Sequence, residues 1–192
     1  MTLEPARKRE LDDVTLARAQ QGDAAAFQVL VETYQDAVFA LVRRFFGRDA
    51  QRAVVEDVAQ DSFLGVYRSL PRFRADGEAR LSTWILTIAA RTALKERRGG
   101  TRPTVSVDEL SDVLPSAPTS SLGLDHRGFV EALGRALAAL APPYRAAFLL
   151  REYHGLEYQE IAGALEIDVG TVKSRLSRAR SQLREELKEF AP

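Results

Sequence analysis

The stretch from Leu156 to Arg180, L-E-Y-Q-E-I-A-G-A-L-E-I-D-V-G-T-V-K-S-R-L-S-R-A-R, limits the possible folds of this chain more than any other. A short apolar-periodic segment with Ile161, Ala162 and Leu165 is interrupted at Glu166, Ile167 and Asp168, and a second begins at Val169. In the second, Val169, Val172, Leu176, Ala179, Leu183 and Leu187 recur at steps of three and four. At about 100° per residue they share one stripe, as the buried face of a helix does. Two helices parted by so short a break read as a helix-turn-helix. Asp168 stands at the N-cap of the second, where its carboxylate can accept from the free N–H groups of the first turn.

Opposite the stripe lie Gly170, Thr171, Ser174, Ser177, Arg178 and Ser181, with Lys173 and Arg175 on the flanks. Small residues let a backbone approach closely, Thr, Ser and Arg can reach base edges, and flanking cations can reach phosphates, which suits the major groove. A solvated basic face would carry the same cations. The short helix and tight turn in front of it favour DNA.

The rest of the chain does not bind nucleic acid by bulk charge. Its 27 basic and 27 acidic residues balance, so any such contact comes from local patches. Its 192 residues, 45% of them hydrophobic, suffice for one ordinary domain or two small ones. The absence of cysteine excludes disulfides and thiolate metal sites. His126 and His154 lack ligand-like neighbours and are expected at the surface, without a metal role. No apolar run reaches membrane-spanning length and the N-terminus has no targeting core, so a cytoplasmic protein without membrane insertion is expected.

Upstream, helical periodicity dominates. Residues 1–12 read as a polar lead-in, followed by a weak stripe of Val14, Leu16, Ala17 and Ala19 that closes at Gly22, with Asp23 capping the next helix. Phe27, Leu30, Val31, Tyr34, Val38, Leu41, Val42 and Phe45 then read as core up to Gly47. Val55, Ala59, Phe63, Val66 and Leu70 form the stripe of a third helix. Its outer face carries Asp57, Gln60, Asp61, Leu64 and Arg68: either acidic surface or a dock for a basic helix, with Leu64 as anchor. After Pro71, a basic loop with Arg72, Phe73, Arg74 and Arg80 leads into a helix that Ser82 or Thr83 can cap. Its stripe is Leu81, Trp84, Ile85, Ile88 and Thr92, and Arg91 and Lys95 add cations on the flank. Cations with aromatics suit single-stranded nucleic acid. Pro, Ser and Thr then mark a linker, and helices resume with Phe129, Leu133, Leu137 and Leu140, then Tyr144, Ala147, Phe148 and Leu150.

In order, Q-G-D-A-A-A-F, V-V-E-D-V-A-Q-D-S-F-L, L-P-R-F-R with S-T-W-I-L-T-I-A-A-R, Y-Q-E-I-A-G-A-L and V-G-T-V-K-S-R-L-S-R-A-R resemble the region-two and region-four motifs of extracytoplasmic-function sigma factors in the sigma-70 family. The resemblance covers almost the whole chain. It implies an all-α protein of two small helical domains: region 2 over 13–98, a flexible linker over 99–127, and region 4 with the helix-turn-helix over 128–192. It implies promoter-specific initiation, with core RNA polymerase (beta-prime clamp and beta subunit), promoter DNA and an anti-sigma factor as partners, and no catalytic residue, cofactor or metal. Asp57, Gln60, Asp61 and Leu64 then face polymerase. Arg72, Phe73, Arg74, Arg80, Trp84, Arg91 and Lys95 face the minus-10 element, and Thr171, Lys173, Ser174, Arg175, Ser177 and Arg178 the minus-35 element.

The chain departs from the family pattern in three places: a longer loop between Phe73 and Leu81, Glu166 where glycine is common in the turn, and Glu157 in place of a Ser cap. Glu166 is strained if the turn needs positive φ. A different class, a dimeric helix-turn-helix regulator binding a near-palindromic duplex unaided, is the alternative. An acidic metal site for an enzyme acting on nucleic acid could draw only on Glu56, Asp57 and Asp61, which read better as surface.

Overall fold

Apolar residues at steps of three and four build an all-α chain, seen in a computed structural model that describes residues 10–47, 50–75, 77, 79–99 and 123–190. The first group of helices is α1 (Asp13–Gln20), α2 (Ala24–Phe46), α3 (Arg52–Ser69) and α4 (Leu81–Gly99), with a 3₁₀ turn at Leu70–Arg72. The second is α5 (Gly123–Ala139), α6 (Pro142–Glu152), α7 (Tyr158–Leu165) and α8 (Val169–Glu186), closed by a 3₁₀ turn at Lys188–Phe190. Residues 100–122 of the expected linker lie outside the described residues, as do residues 1–9 of the expected lead-in. No described helix is long and apolar enough to cross a membrane.

Local chemistry sets the helix starts. Asp12 caps α1 by accepting from the Thr15 N–H at 2.9 Å, and Asp23 caps α2 through the N–H groups of Ala25 and Ala26. The end of the lead-in is tied down. Glu10 accepts from the Tyr34 hydroxyl at 3.0 Å and the Ser82 hydroxyl at 2.6 Å, linking the chain before α1 to α2 and α4. Ser82 and Thr83 are therefore not caps. The helix begins at Leu81, both hydroxyls are buried in its first turn, and Thr83 reaches 3.2 Å across to Glu160 of α7.

The two groups share a core. One continuous apolar cluster joins Leu30, Val38, Leu41 and Val42 of α2 and Ile85, Ala89 and Ala93 of α4 to Ala146, Leu149 and Leu150 of α6 and Ile161 of α7. A smaller cluster, Ala136, Leu137, Leu140, Ala179 and Leu183, binds α5 to α8. This packing accounts for the misread stripes. On α4, Leu81, Ser82, Thr83, Ile85, Leu86, Ala89, Ala90 and Ala93 are buried, whereas the expected Trp84, Ile88 and Thr92 are half-buried. One side of α4 meets α2 and α3 and the other meets α6 and α7, so its small residues permit close approach on a face that a single-stripe reading leaves outside. On α3, Val58 and Ser62 are buried and Phe63 is half-buried. Ser62 tolerates burial because its hydroxyl donates to the Val58 carbonyl at 2.6 Å. In α1, only Leu16 and Ala19 are buried, while Val14 is 70% exposed and Ala17 is exposed.

Candidate nucleic-acid interfaces

At the helix-turn-helix, the turn is made by Glu166 in the left-handed region, φ 54° and ψ 48°, the one non-glycine residue with positive φ among the described residues. Its N–H and that of Ile167 both bond to the Ala162 carbonyl, which closes α7. Glu160 closes the start of α7, accepting from the Glu157 N–H at 2.7 Å, so the missing Ser is offset from inside the helix. Asp168 caps α8 as expected, accepting from the Thr171 N–H at 2.7 Å and the Thr171 hydroxyl at 2.6 Å. The hydroxyl bond, then the N–H bond, hold the Asp168 carboxyl below its ordinary range. Gly170 leaves room beside it: a Cβ there would stand 2.9 Å from the Asp168 Oδ1, so a larger residue would push the capping carboxylate aside.

The outer face of α8 presents Lys173, Ser174, Ser177 and Arg178 to solvent, with Thr171 and Arg175 half-buried. Thr171 has committed its hydroxyl proton to Asp168, and Ser174 donates to the Thr171 carbonyl at 2.9 Å. Arg178 donates from Nη1 to the Tyr144 hydroxyl at 2.9 Å across a cleft between α8 and the start of α6. Arg180 points elsewhere and pairs with Glu152 at 2.6 Å.

On α3, Asp57, Gln60, Asp61 and Leu64 are all exposed, Leu64 by 43%, and neither aspartate is paired among the described residues. Beside them runs an apolar groove between α2 and α3, whose walls include Phe27, Val31, Phe39, Phe63 and Tyr67. Phe27 meets Tyr67 edge-on at 5.0 Å between ring centroids. Periodicity alone does not reveal this groove, because Phe27 and Val31 fall on the core stripe of α2 yet are half-buried. The signal available was Tyr67, one turn beyond Leu64 on α3.

In the loop before α4, Gln20 pins the backbone by donating to the carbonyls of Leu70 and Phe73 at 3.2 and 2.7 Å. Phe73 lies against Trp84 with centroids 5.0 Å apart. Arg72, Arg74 and Arg80 are exposed in the same loop and Lys95 is exposed about three turns further along α4, while loop residues 76 and 78 lie outside the described residues. Arg91 is turned the other way. Its Nε donates to the Ala164 carbonyl at 2.6 Å, Nη2 to Gly163 at 2.7 Å, and Nη1 pairs with Glu166 at 3.0 Å. A cation of the first group of helices thus caps the C-terminus of α7 in the second.

Arg145, which no pattern in the sequence singles out, makes a second such link. Only 2% exposed, it donates to the Phe45 carbonyl at the end of α2 and to the Ala138 and Leu140 carbonyls at the end of α5, the last at 2.8 Å. Burial, with repulsion from Arg97 second, pushes its guanidinium down to about 10. His154 is also buried, contrary to expectation, because the turn after α6 folds it inward: its N–H bonds to the Leu149 carbonyl at 3.3 Å. The side chain of His126 lies outside the described residues, and no metal-holding cluster occurs among those described.

Residues 30–102 match the family described as Sigma-70 region 2, and residues 130–183 match Sigma-70, region 4. The chain is 35% identical to the RNA polymerase sigma-H factor of Pseudomonas aeruginosa over 189 residues, 91% of this chain and 93% of that protein. It is 34% identical over 181 residues to the ECF RNA polymerase sigma-E factor of Salmonella typhimurium, 90% of this chain and 92% of that one. In fold it is similar to the sigma factor RpoE of Bartonella quintana, solved in complex with the anti-sigma factor NepR, with a TM-score of 0.59 and 24% identity. That likeness covers 84% of this chain and 96% of that one.

Proposed function

This chain belongs to the extracytoplasmic-function group of the sigma-70 family, and from that premise we propose how its two regions divide the work of promoter-specific transcription initiation. It is a sigma factor, a non-enzymatic subunit that binds core RNA polymerase and promoter elements.

Region 2 extends over 13–98 and region 4 over 128–192; at the two ends of the linker expected at 99–127, Gly99 closes α4 and residues 123–127 already belong to α5. Asp57, Gln60, Asp61 and Leu64 hold the beta-prime clamp. The unpaired carboxylates supply the charge for a basic helix, and Leu64 with the adjoining groove supplies the apolar anchor. Arg72, Phe73, Arg74, Arg80, Trp84, Arg91 and Lys95 meet the melted minus-10 strand; the Phe73–Trp84 pair offers a stacking surface in a loop that carries three exposed arginines. Thr171, Lys173, Ser174, Arg175, Ser177 and Arg178 read the minus-35 duplex. The capped start of α8, with the close-approach residue Gly170 at the tip and cations on the flanks, is the observation that carries this reading.

Arg91 cannot serve the melted strand while it caps α7. Binding to polymerase therefore draws α7 away from α4 before the minus-10 element is held. An anti-sigma partner occupies the apolar groove and keeps polymerase off, as suits a chain whose fold resembles a sigma factor solved with its anti-sigma factor. The protein works in the cytoplasm, where polymerase and chromosome are.

Run-off transcription with purified bacterial core polymerase on a promoter-fragment library tests the assignment. Initiation at a defined subset, lost on Arg178→Ala, supports it. Binding to a palindromic duplex as a dimer, with no effect on core, overturns it. A pull-down from native cells that recovers only polymerase subunits, stressed and unstressed, would remove the anti-sigma partner.

A further inference from the structure

We propose that Tyr144, at the start of α6 and outside the recognition helix, is the positioning residue that aims Arg178 at the minus-35 duplex. The inference rests on the reading of α8 given above and adds a residue to it. A surface arginine on a helix loses much rotamer freedom when it binds, and that loss weakens the contact. Arg178 is exposed, yet its Nη1 donates to the Tyr144 hydroxyl at 2.9 Å and its guanidinium carbon lies 5.9 Å from the centre of the Tyr144 ring.

Tyr144 is a firm anchor. Pro142 and Pro143 fix the backbone just before it, its N–H bonds to the Ala141 carbonyl at 2.9 Å, and its ring packs on the cluster of Leu137, Leu140, Ala179 and Leu183. Tyr144 lines the cleft together with Ala141, Pro143, Thr171, Ser174 and Arg175. DNA seated on the outer face of α8 lies over this cleft, and Arg178 stands at its edge.

The partner's chemistry matters as much as its position. Arg180, two residues further on, is held by the carboxylate of Glu152, which cancels its charge at short range. Arg178 is held by a neutral hydroxyl, which orients the guanidinium and leaves its full charge for a base edge or phosphate. Since the Tyr144 oxygen accepts from Arg178, its own proton remains to be donated.

The test is a double-mutant cycle in the full chain: wild type, Tyr144→Phe, Arg178→Ala and the double variant. Each is measured for binding, as holoenzyme with core polymerase, to a fluorescent promoter fragment selected in the run-off library. Tyr144→Phe keeps the ring and its packing and removes only the hydroxyl. We expect it to weaken binding by about threefold to tenfold, Arg178→Ala by about tenfold or more, and the double variant no further than Arg178→Ala alone. Core affinity stays as in wild type. An equal loss from Tyr144→Phe in the Arg178→Ala background overturns the proposal, because the hydroxyl then touches DNA itself. Unchanged binding by Tyr144→Phe overturns it as well, and tighter binding shows that Tyr144 parks Arg178 instead of presenting it. If Arg178→Ala binds like wild type, the assignment of the α8 face has failed, and this proposal with it.

Discussion

Replacing Arg145 by methionine tests whether a buried cation without a carboxylate holds two helix ends together. The guanidinium donates to the carbonyls of Phe45, Ala138 and Leu140, all at helix C-termini, where unpaired carbonyls and the helix dipole concentrate negative charge. Methionine fills similar space and leaves these carbonyls without their donor. Each hydrogen bond to a charged group contributes about 1.5–3 kcal/mol, whereas burying the charge costs several kcal/mol, which methionine does not incur. The difference is a destabilisation of about 3 kcal/mol. For a chain of this size that lowers Tm by about 6–12 °C in calorimetry or circular dichroism. Arg145→Lys keeps the charge, but one ammonium cannot fork to both helix ends, so it should recover less than half of the loss. Burial lowers the folded-state value of the guanidinium to about 10, below its higher unfolded-state value, so the folded protein releases this proton first. That contribution to stability rises only as pH climbs through the window between those values, and the deficit of Arg145→Met is flat from about pH 6 to 9. A methionine variant that melts at or above wild type would refute the reasoning, since the guanidinium would then be a burden and not a tie.

Glu166→Gly relieves the left-handed backbone at the turn, about 1 kcal/mol, and gives up an exposed ion pair with Arg91 that is worth little, so Tm should rise by roughly 2–4 °C. A fall in Tm would mean that the pair matters more than the strain. Asp168→Ala removes the cap of α8 and should weaken minus-35 binding while sparing core affinity, read by fluorescence anisotropy on a promoter duplex. Because the folded-state carboxyl of Asp168 is depressed below 3.8, its stabilising effect is full above that value and is lost as pH falls through the lower folded-state value. The loss of stability on acidification should therefore be smaller in the alanine variant than in wild type, with Asp12 and Asp23, whose carboxyls are also held below their ordinary range by cap hydrogen bonds, supplying what remains. Asp61→Ala should weaken core binding and leave duplex recognition intact, the reverse of Arg178→Ala; equal losses of both activities in either variant would undo the division of labour.

Where a helix buries one face, its period was legible in the sequence. The stripe from Val172 to Leu183 and the caps Asp23 and Asp168 stand as read, and so does the strained turn at Glu166. Where a helix is packed on two sides the period misleads. Ala89, Ala90 and Ala93 gave no strong apolar signal on α4, yet they are among its most buried residues, because alanine marks close approach and not bulk. Arg145 was illegible for a related reason: a lone arginine in an apolar run gives no hint that carbonyls 100 and 7 residues away converge on it. Arg91 was legible as a cation but not as a cap, since its partners are backbone atoms of α7, whose identity carries no sequence signal.

The core shared by α2, α4, α6 and α7 makes the separation of the two regions an equilibrium with a threshold. Every apolar contact across that junction lowers the population of the separated form, by tenfold for each 1.4 kcal/mol or so. A ligand that grips both forms equally shifts nothing, however tightly it binds. To turn a chain that is about 1% separated into one about 99% separated, polymerase must prefer the separated form by about ten-thousandfold. If polymerase binds the separated form, as proposed above, the packing of a few alanines and leucines between α4 and α6 sets how much of its binding energy goes into taking the factor apart. It also lets promoter output be tuned at residues that touch neither polymerase nor DNA.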